Sequence, residues 1–376
     1  MGDSFYLAWN YLRYHRWTTA VLIASMTLIL FLPAGLQTIV NNAERHFRSR
    51  ADTTPLLVGP RGSSLDLVLS ATYFDKPLSD VMRNSEYERI KSQQIGTTIP
   101  LHFQYTAQEC PVVGTSEDYF AMRGLSLREG HLWEILGECV LGSNAATRLG
   151  VGVGGRVPVE SSSAFVLRDA PLRLNVVGVI APQETPDDDA IFVSLDTTWV
   201  IDGLGHGHVK KAKHGSQEAE PFTDITPENV DSFHFHGNRT SYPLSAVIVH
   251  PESEKDRTIL LGQYFSPDKV VQIVKPREVM DRLLSRVLMV RSYLITIIAL
   301  VSCVTLALVA LSVVLSIRLR RAELVTISKM GGSRFKIISI LTFHVLAIFA
   351  VSLVIASGLT LTANHFGAEL VRLFVL

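Results

Sequence analysis

Only three of the 376 residues are cysteine, which excludes a scaffold built on disulfides. Charge is scarce as well. Asp, Glu, Lys and Arg make up 19% of the chain, below the roughly 25% of an average soluble domain. The 35 basic side chains balance 35 acidic ones, so the basic excess of a nucleic-acid binder is absent. Catalytic signatures are missing too. There is no Gly-x-Ser-x-Gly elbow, no His-Glu-x-x-His and no Walker A loop. Gly59-Pro60-Arg61-Gly62-Ser63-Ser64 lacks the Gly-Lys-Ser/Thr ending that holds phosphate and Mg2+, and reads as a turn. Asp187-Asp188-Asp189 reads as a solvated turn, because neighbouring carboxylates point different ways. No nucleophile–base pair stands out.

What the chain does have is apolar length. Hydrophobic residues make up 47%, and they gather in three runs, 17–40, 293–317 and 337–363. The first two hold no charged residue, and His344 is the one ionisable group of the third. About 20 apolar residues cross a bilayer as a helix, so each run is read as a transmembrane helix. The first is too long for a signal-peptide core, and Pro33 can kink it. Arg13 and Arg16 precede the first run. Arg318, Arg320, Arg321, Lys329, Arg334 and Lys336 lie between the second and third, against Glu323 alone. Positive charge stays inside, so residues 1–16 and 318–336 face the cytoplasm, while 41–292 and the tail 364–376 lie outside. Such a chain spans a membrane, in contact with lipid, with its N-terminus inside and its C-terminus outside.

The outer region, 41–292, mixes strand and helix signals and is expected to be α+β. Strands are predicted at Pro55–Val58, Leu65–Leu69, Pro111–Val113, Cys139–Leu141, Leu172–Ile180, Ala190–Val193, Leu244–Val249 and Lys269–Ile273. Helices are predicted at Ser79–Ser92, Ser143–Leu149, Lys255–Gln263 and Pro276–Val290, the last leading into the second span. Pro182–Asp189 and Gly203–Asn229 read as loops.

The inner loop carries a recognisable segment. Arg321, Glu323, Leu324, Ile327, Lys329, Met330, Gly331, Gly332 and Ser333 put three apolar residues on one helical face, then a glycine stop and a capping serine. This segment resembles the coupling helix of MacB/FtsX/LolC-type ABC permeases. Residues 7–16 resemble the amphipathic elbow helix before their first span. In the outer region Gly114-Thr115 with Tyr119-Phe120, then Arg123-Gly124-Leu125, Glu129-Gly130, Gly137 to Ser143, Leu149-Gly150, Gly154 to Val157 and Val176 to Ile180 follow in that family's order. The resemblance implies a MacB-type periplasmic domain and a self-dimer or heterodimer. It also implies two copies of a separate cytoplasmic ABC ATPase, which binds ATP and Mg, so the chain itself needs no intrinsic cofactor. Motion would pass from the ATPases to the outer domain, a mechanotransmission in which cargo crosses no channel. The implied outer partner is a periplasmic adaptor, a lipoprotein or an enzyme. Members of the family usually have four spans. This chain has three, and Ala368–Leu376 is expected to lie on the outer surface as an amphipathic helix.

Six of the twelve histidines fall between 206 and 250. His206 and His208 form one His-x-His, His234 and His236 another, and His214 lies between them. On a strand this spacing turns both rings to one face, an arrangement that suits Zn2+ or Cu2+. Glu218, Glu220, Asp224, Glu228 and Asp231 lie nearby in sequence as further ligands. The same histidines serve equally well as loop or packing residues. The metal reading links the chain to metal homeostasis and keeps a periplasmic metal sensor, or an envelope scaffold, as competing functions. Cys110 and Cys139 both fall in the outer region, where either a disulfide or two thiols is compatible with the compartment. Cys303, in the second span, reads as a packing residue.

Overall fold

The computed structural model describes residues 13–14, 16–159, 172–207, 223–265, 270–319 and 334–375. The chain divides into two units, Met1–Phe47 with Leu284–Leu376, and Arg48–Leu283. In chain order the elements are α1 (Arg16–Asp52), β1 (Leu56–Pro60), α2 (Ser64–Tyr73), β2 (Met82–Arg83), α3 (Asn84–Ser92), β3 (Gly96–Ala107), β4 (Cys110–Thr115) and α4 (Asp118–Arg123). There follow β5 (Leu127–Gly130), β6 (Glu138–Leu141), α5 (Ser143–Leu149), β7 (Arg156–Pro158), β8 (Leu172–Ile180), β9 (Ile191–Ser194), α6 (Leu195–Ile201) and β10 (Gly205–Gly207). The last are β11 (Thr223–Asp224), β12 (Phe233–Phe235), β13 (Pro243–Leu244), β14 (Ala246–Pro251), α7 (Glu254–Gln263), β15 (Val271–Val274), α8 (Pro276–Leu319) and α9 (Arg334–Val375).

The unit Arg48–Leu283 is α+β. Its main sheet runs β11-β8-β6-β9-β4-β3-β14-β1-β15, with β5 and β7 both added to β8. Most neighbours are antiparallel; β4 with β9, β6 with β8, and β8 with β11 are parallel. β1 is buried at every position, as is Ala246–Val249 of β14, which accounts for their continuous apolar runs. β8 instead alternates from Leu172 to Val176, with Leu172, Leu174 and Val176 inward and Arg173 and Asn175 outward. Two apolar clusters fill the unit. One joins Val112, Cys139, Leu141, Val157, Leu174, Val176, Ile191 and Val193. The other joins Leu56, Val58, Tyr87, Ile90, Val247, Val249 and Leu260.

Two departures from the sequence reading have clear causes. Leu65–Leu69, expected as a strand, lies inside helix α2. Ser63 caps that helix by accepting a hydrogen bond from the Asp66 N–H at 3.1 Å, and Leu67, Val68, Ser70 and Ala71 supply a buried face. A short apolar run does not separate strand from helix, and the cap decides. Gly59 is required here, because a Cβ would stand 2.4 Å from the Leu67 side chain. The second departure is β3, a 12-residue strand that the sequence reading omits. Pro100 lies in its middle, and proline ordinarily argues against an inner strand. Thr115 Oγ1 donates to the Pro100 carbonyl at 2.9 Å, and β14 pairs Val247 opposite it.

In the unit Met1–Phe47 with Leu284–Leu376, two helical stretches are long and apolar enough to cross a membrane. These are Thr19–Asn42, of mean hydropathy 2.1, and Val345–His365, of mean hydropathy 2.3. A third stretch, Ser292–Ala307, is apolar but shorter among the described residues. Ser352 Oγ donates to the Ile23 carbonyl at 3.2 Å, and Asn42 meets Asn364 at 3.2 Å, so the first and last helices touch through small and polar groups. The expected separate tail is not a separate element, since α9 runs unbroken through it to Val375. Ala, Leu and Val at 368–375 give the helix no proline or glycine to stop it. Most of the elbow residues 1–16 and the side chain of His344 lie outside the described residues.

Candidate metal centre

The segment Gly203–Asn229, expected as loop, holds strand β10 and, past the undescribed 208–222, strand β11. β10 pairs antiparallel with β12 in a two-stranded ribbon apart from the main sheet. Its register sets Gly205 opposite Phe235, His206 opposite His234, and Gly207 opposite Phe233. Alternation puts both glycines and both phenylalanines on one face and the histidines on the other. The glycines leave room for the rings: a Cβ on Gly205 would lie 2.8 Å from Phe235, and one on Gly207 2.6 Å from Phe233. The aromatic rings cover the bare glycine backbone.

One residue beyond β12, His236 donates its backbone N–H to the Leu204 carbonyl at 2.9 Å, which extends the ribbon by a step. Tyr242 Oη donates to the His236 carbonyl at 2.8 Å and holds it from the other side. The three imidazoles therefore converge. Ring centroids lie 4.8 Å apart for His206–His234, 4.7 Å for His206–His236 and 4.6 Å for His234–His236. One ligand nitrogen from each falls within 4.8 Å of the other two. His206 and His234 are partly buried, and His236 is exposed. The Ser232 carbonyl lies 3.4 Å from His234 Nδ1.

Of the five predicted ligands, the structure thus brings together His206, His234 and His236, while His208 and His214 lie outside the described residues. Asp224 is engaged elsewhere. It accepts from Arg156 at 2.7 Å and from Arg173 at 2.7 and 2.5 Å, and the Arg173 hydrogen bond holds its carboxyl below the usual range. The coupling residues Arg321, Glu323, Leu324, Ile327, Lys329, Met330, Gly331, Gly332 and Ser333 all lie outside the described residues.

The disulfide alternative is corrected. Cys110 and Cys139 are free, buried thiols. Cys139 on β6 faces Val193 of β9, which faces Gly114 of β4. Cys110 is therefore two strands away, about 10 Å, and four residues back along β4, about another 13 Å. A disulfide needs Cα atoms within roughly 7 Å.

The largest correction concerns Asp187-Asp188-Asp189. The first two are buried rather than solvated, at 0% and 2% exposure. Asp188 accepts from the backbone N–H of Gln183 and Thr185, closing a capping box on the turn. Asp187 Oδ1 receives Arg50 Nη2 at 2.7 Å and the Tyr119 hydroxyl at 2.7 Å. Arg123 stacks 5.5 Å from the Tyr119 ring and donates to Thr53 and Thr54. Burial works against the charge on Arg50, but Tyr119 and Asp187 outweigh it and raise the Arg50 pKa. Nothing in the sequence pairs residues this far apart, and only an arginine in the last turn of a long helix gave a signal.

Burial first, and then Asp187, push the Tyr119 hydroxyl up to about 12 from 10.0. A raised folded-state value gives stability that is complete below pH 10 and lost as pH rises toward 12. Alkaline unfolding should therefore begin in that window, and Tyr119→Phe should flatten it; tyrosinate absorbance and tryptophan fluorescence followed together would read this.

A second buried string looks catalytic by connectivity. Ser245 Oγ lies 3.2 Å from His102 Nδ1, and His102 Nε2 lies 3.2 Å from Asp202, which Tyr105 also bonds. Yet Ser245 is fully buried and its oxygen accepts from the Phe103 N–H and from Gln104. A nucleophile needs open approach to a substrate, so this string holds β3, α6 and β14 together.

The family model for the MacB-like periplasmic core domain matches residues 19–220. Among solved structures, the periplasmic region of MacB from Actinobacillus actinomycetemcomitans is 12% identical, with TM-score 0.38, covering 63% of this chain and 97% of that one. The extracellular domain of the noncanonic ABC-type transporter YknZ from Gram-positive bacteria is 11% identical, with TM-score 0.35, covering 58% and 98%. No curated protein matches the chain.

Proposed function

The chain belongs to the MacB-like periplasmic core domain family, as a permease of the MacB/FtsX type of ABC transporter, and from that premise we propose that it couples a separate cytoplasmic ATPase to motions of its outer domain. The observation that carries this reading is the reach of the match. It begins at residue 19, inside the first apolar helix, and continues through the α+β unit to residue 220. Two candidate spans flank that unit in sequence, and the shorter Ser292–Ala307 stretch supports a third. Val21, Leu300, Val354 and Leu361 are each more than half exposed, as side chains that face lipid would be.

In this reading the protein is a dimer in the inner membrane with its N-terminus in the cytoplasm. ATP draws two ATPases together. They push on residues 321–333, and the helices before and after that segment carry the motion outward. The outer domain then moves cargo or a periplasmic partner, an adaptor, lipoprotein or enzyme, rather than opening a channel. Scarcity of ionisable groups in the spans supports this, because polar pathways usually carry them. Zinc and a tie to metal homeostasis rest on the histidine cluster.

Co-purification of the full chain with its candidate ATPase in detergent tests the central reading. The expected species holds two permeases and two ATPases. A chain that never associates with an ATPase would remove the coupling role and bring the sensor or scaffold alternative forward.

A further inference from the structure

We propose that His206, His234 and His236 supply three nitrogens to a site for a borderline divalent cation, Zn2+ being the natural occupant. Antiparallel pairing sets His206 directly across from His234, the closest approach two side chains on neighbouring strands can make. His236 follows His234 by two residues, so alternation returns its ring to the same face. Glycine and phenylalanine pack together on the opposite face, so the three histidines share a face of their own.

The distances fit a ligand set. Nitrogens bound tetrahedrally at about 2.0–2.1 Å from zinc stand roughly 3.3–3.4 Å from one another. The three here lie within 4.8 Å, a spacing that ring rotation can tighten toward that value. The Ser232 carbonyl beside His234 Nδ1 is the outer-shell acceptor that metal-bound histidines usually have.

The donor set also selects the ion. Three neutral imidazoles suit Zn2+, Cu2+ or Ni2+, while Mg2+ and Ca2+ need oxygen. Among the described residues no carboxylate or thiol joins the group, and the nearby Asp224 is held by two arginines. Three neutral imidazoles leave the charge of a bound ion uncompensated, and a tetrahedral ion has one further position to fill. His236 is exposed, so its side of the cluster meets solvent. The inference is independent of ATPase coupling, and the ribbon lies within one unit of the fold.

The test uses the full chain in detergent, stripped with a chelator and titrated with Zn2+ against a chromophoric competitor. One equivalent of metal is expected. His206→Ala, His234→Ala and His236→Ala should each lose affinity by about 100-fold or more, beyond the roughly 10–100-fold that loss of an outer-shell partner costs. His131→Ala and His250→Ala should bind as the unaltered chain does. Substitution with Co2+ should give the intense visible bands of a four-coordinate ion, a readout on the unaltered chain that needs no variant to fold. Binding unchanged in the three variants would overturn the proposal. So would a loss that follows only His208→Ala or His214→Ala, or a weak six-coordinate Co2+ spectrum.

Discussion

Asp187→Ala should destabilise the outer domain by about 3–5 kcal/mol, the cost of removing one partner from a buried ion pair. The Asp187 side chain is fully buried and that of Arg50 is 7% exposed, so neither charge can turn to water. Removal strands the Arg50 guanidinium, unpairs the Tyr119 hydroxyl and leaves Arg123 beside a second uncompensated cation. Among the described residues Asp187 is the one carboxylate that bonds Arg50. For a unit of this size the loss corresponds to a fall in Tm of roughly 6–20 °C. Urea and thermal unfolding followed by tryptophan fluorescence would measure it. The double variant Arg50→Met with Asp187→Leu should recover most of the loss, because well-packed apolar replacements remove the desolvation cost along with the attraction. A single variant as stable as the unaltered protein would show that the pair is hydrated in solution. The cluster ties the last turn of α1, which also carries the candidate span Thr19–Asn42, to α4 and to the turn at Asp187.

Glu323→Lys combined with Met330→Lys should uncouple ATP hydrolysis from the work of the outer domain. In the coupling reading these residues dock into a groove on the ATPase, Met330 as an apolar anchor and Glu323 as a charge at its edge. Burying a lysine in place of an anchor costs at least about 2 kcal/mol at such a contact, roughly 30-fold in affinity. The expected result is an ATPase that still hydrolyses ATP alone but loses its stimulation by the permease and co-purifies poorly. Unchanged stimulation would remove these two residues from the contact. A control on the exposed surface of the α+β unit, Lys255→Gln, should leave stimulation intact.

Much of the architecture was legible because burial writes periodic patterns. Two of the three apolar runs return as helices long and apolar enough to cross a membrane, and Leu172–Ile180 and Ser143–Leu149 were read with the bounds they have in the structure. Leu65–Leu69 was misread because a five-residue apolar run fits either period, and the Ser63 cap outweighed it. β3 was passed over because Pro100 and His102 break its apolar look, although both are absorbed by partners more than ten residues away. The metal candidates were half legible. His-x-His spacing predicts two rings on one face, as His234 and His236 are, but it cannot tell which other histidine joins them.

By itself the sequence determined the kind of protein. Long uncharged runs, the sign of the flanking charges and the order of short glycine-containing motifs are local properties, and local properties survive in a one-dimensional reading. Tertiary structure decided which residues meet. It brought His206 to His234 across an antiparallel register, separated Cys110 from Cys139 by two strands, and sank Asp187 against Arg50. Each of these depends on chain segments distant in sequence being packed together. A buried charge is tolerable only when its partner arrives from elsewhere, so the residues alone made Asp187 look solvated and the fold made it the keystone of a buried pair.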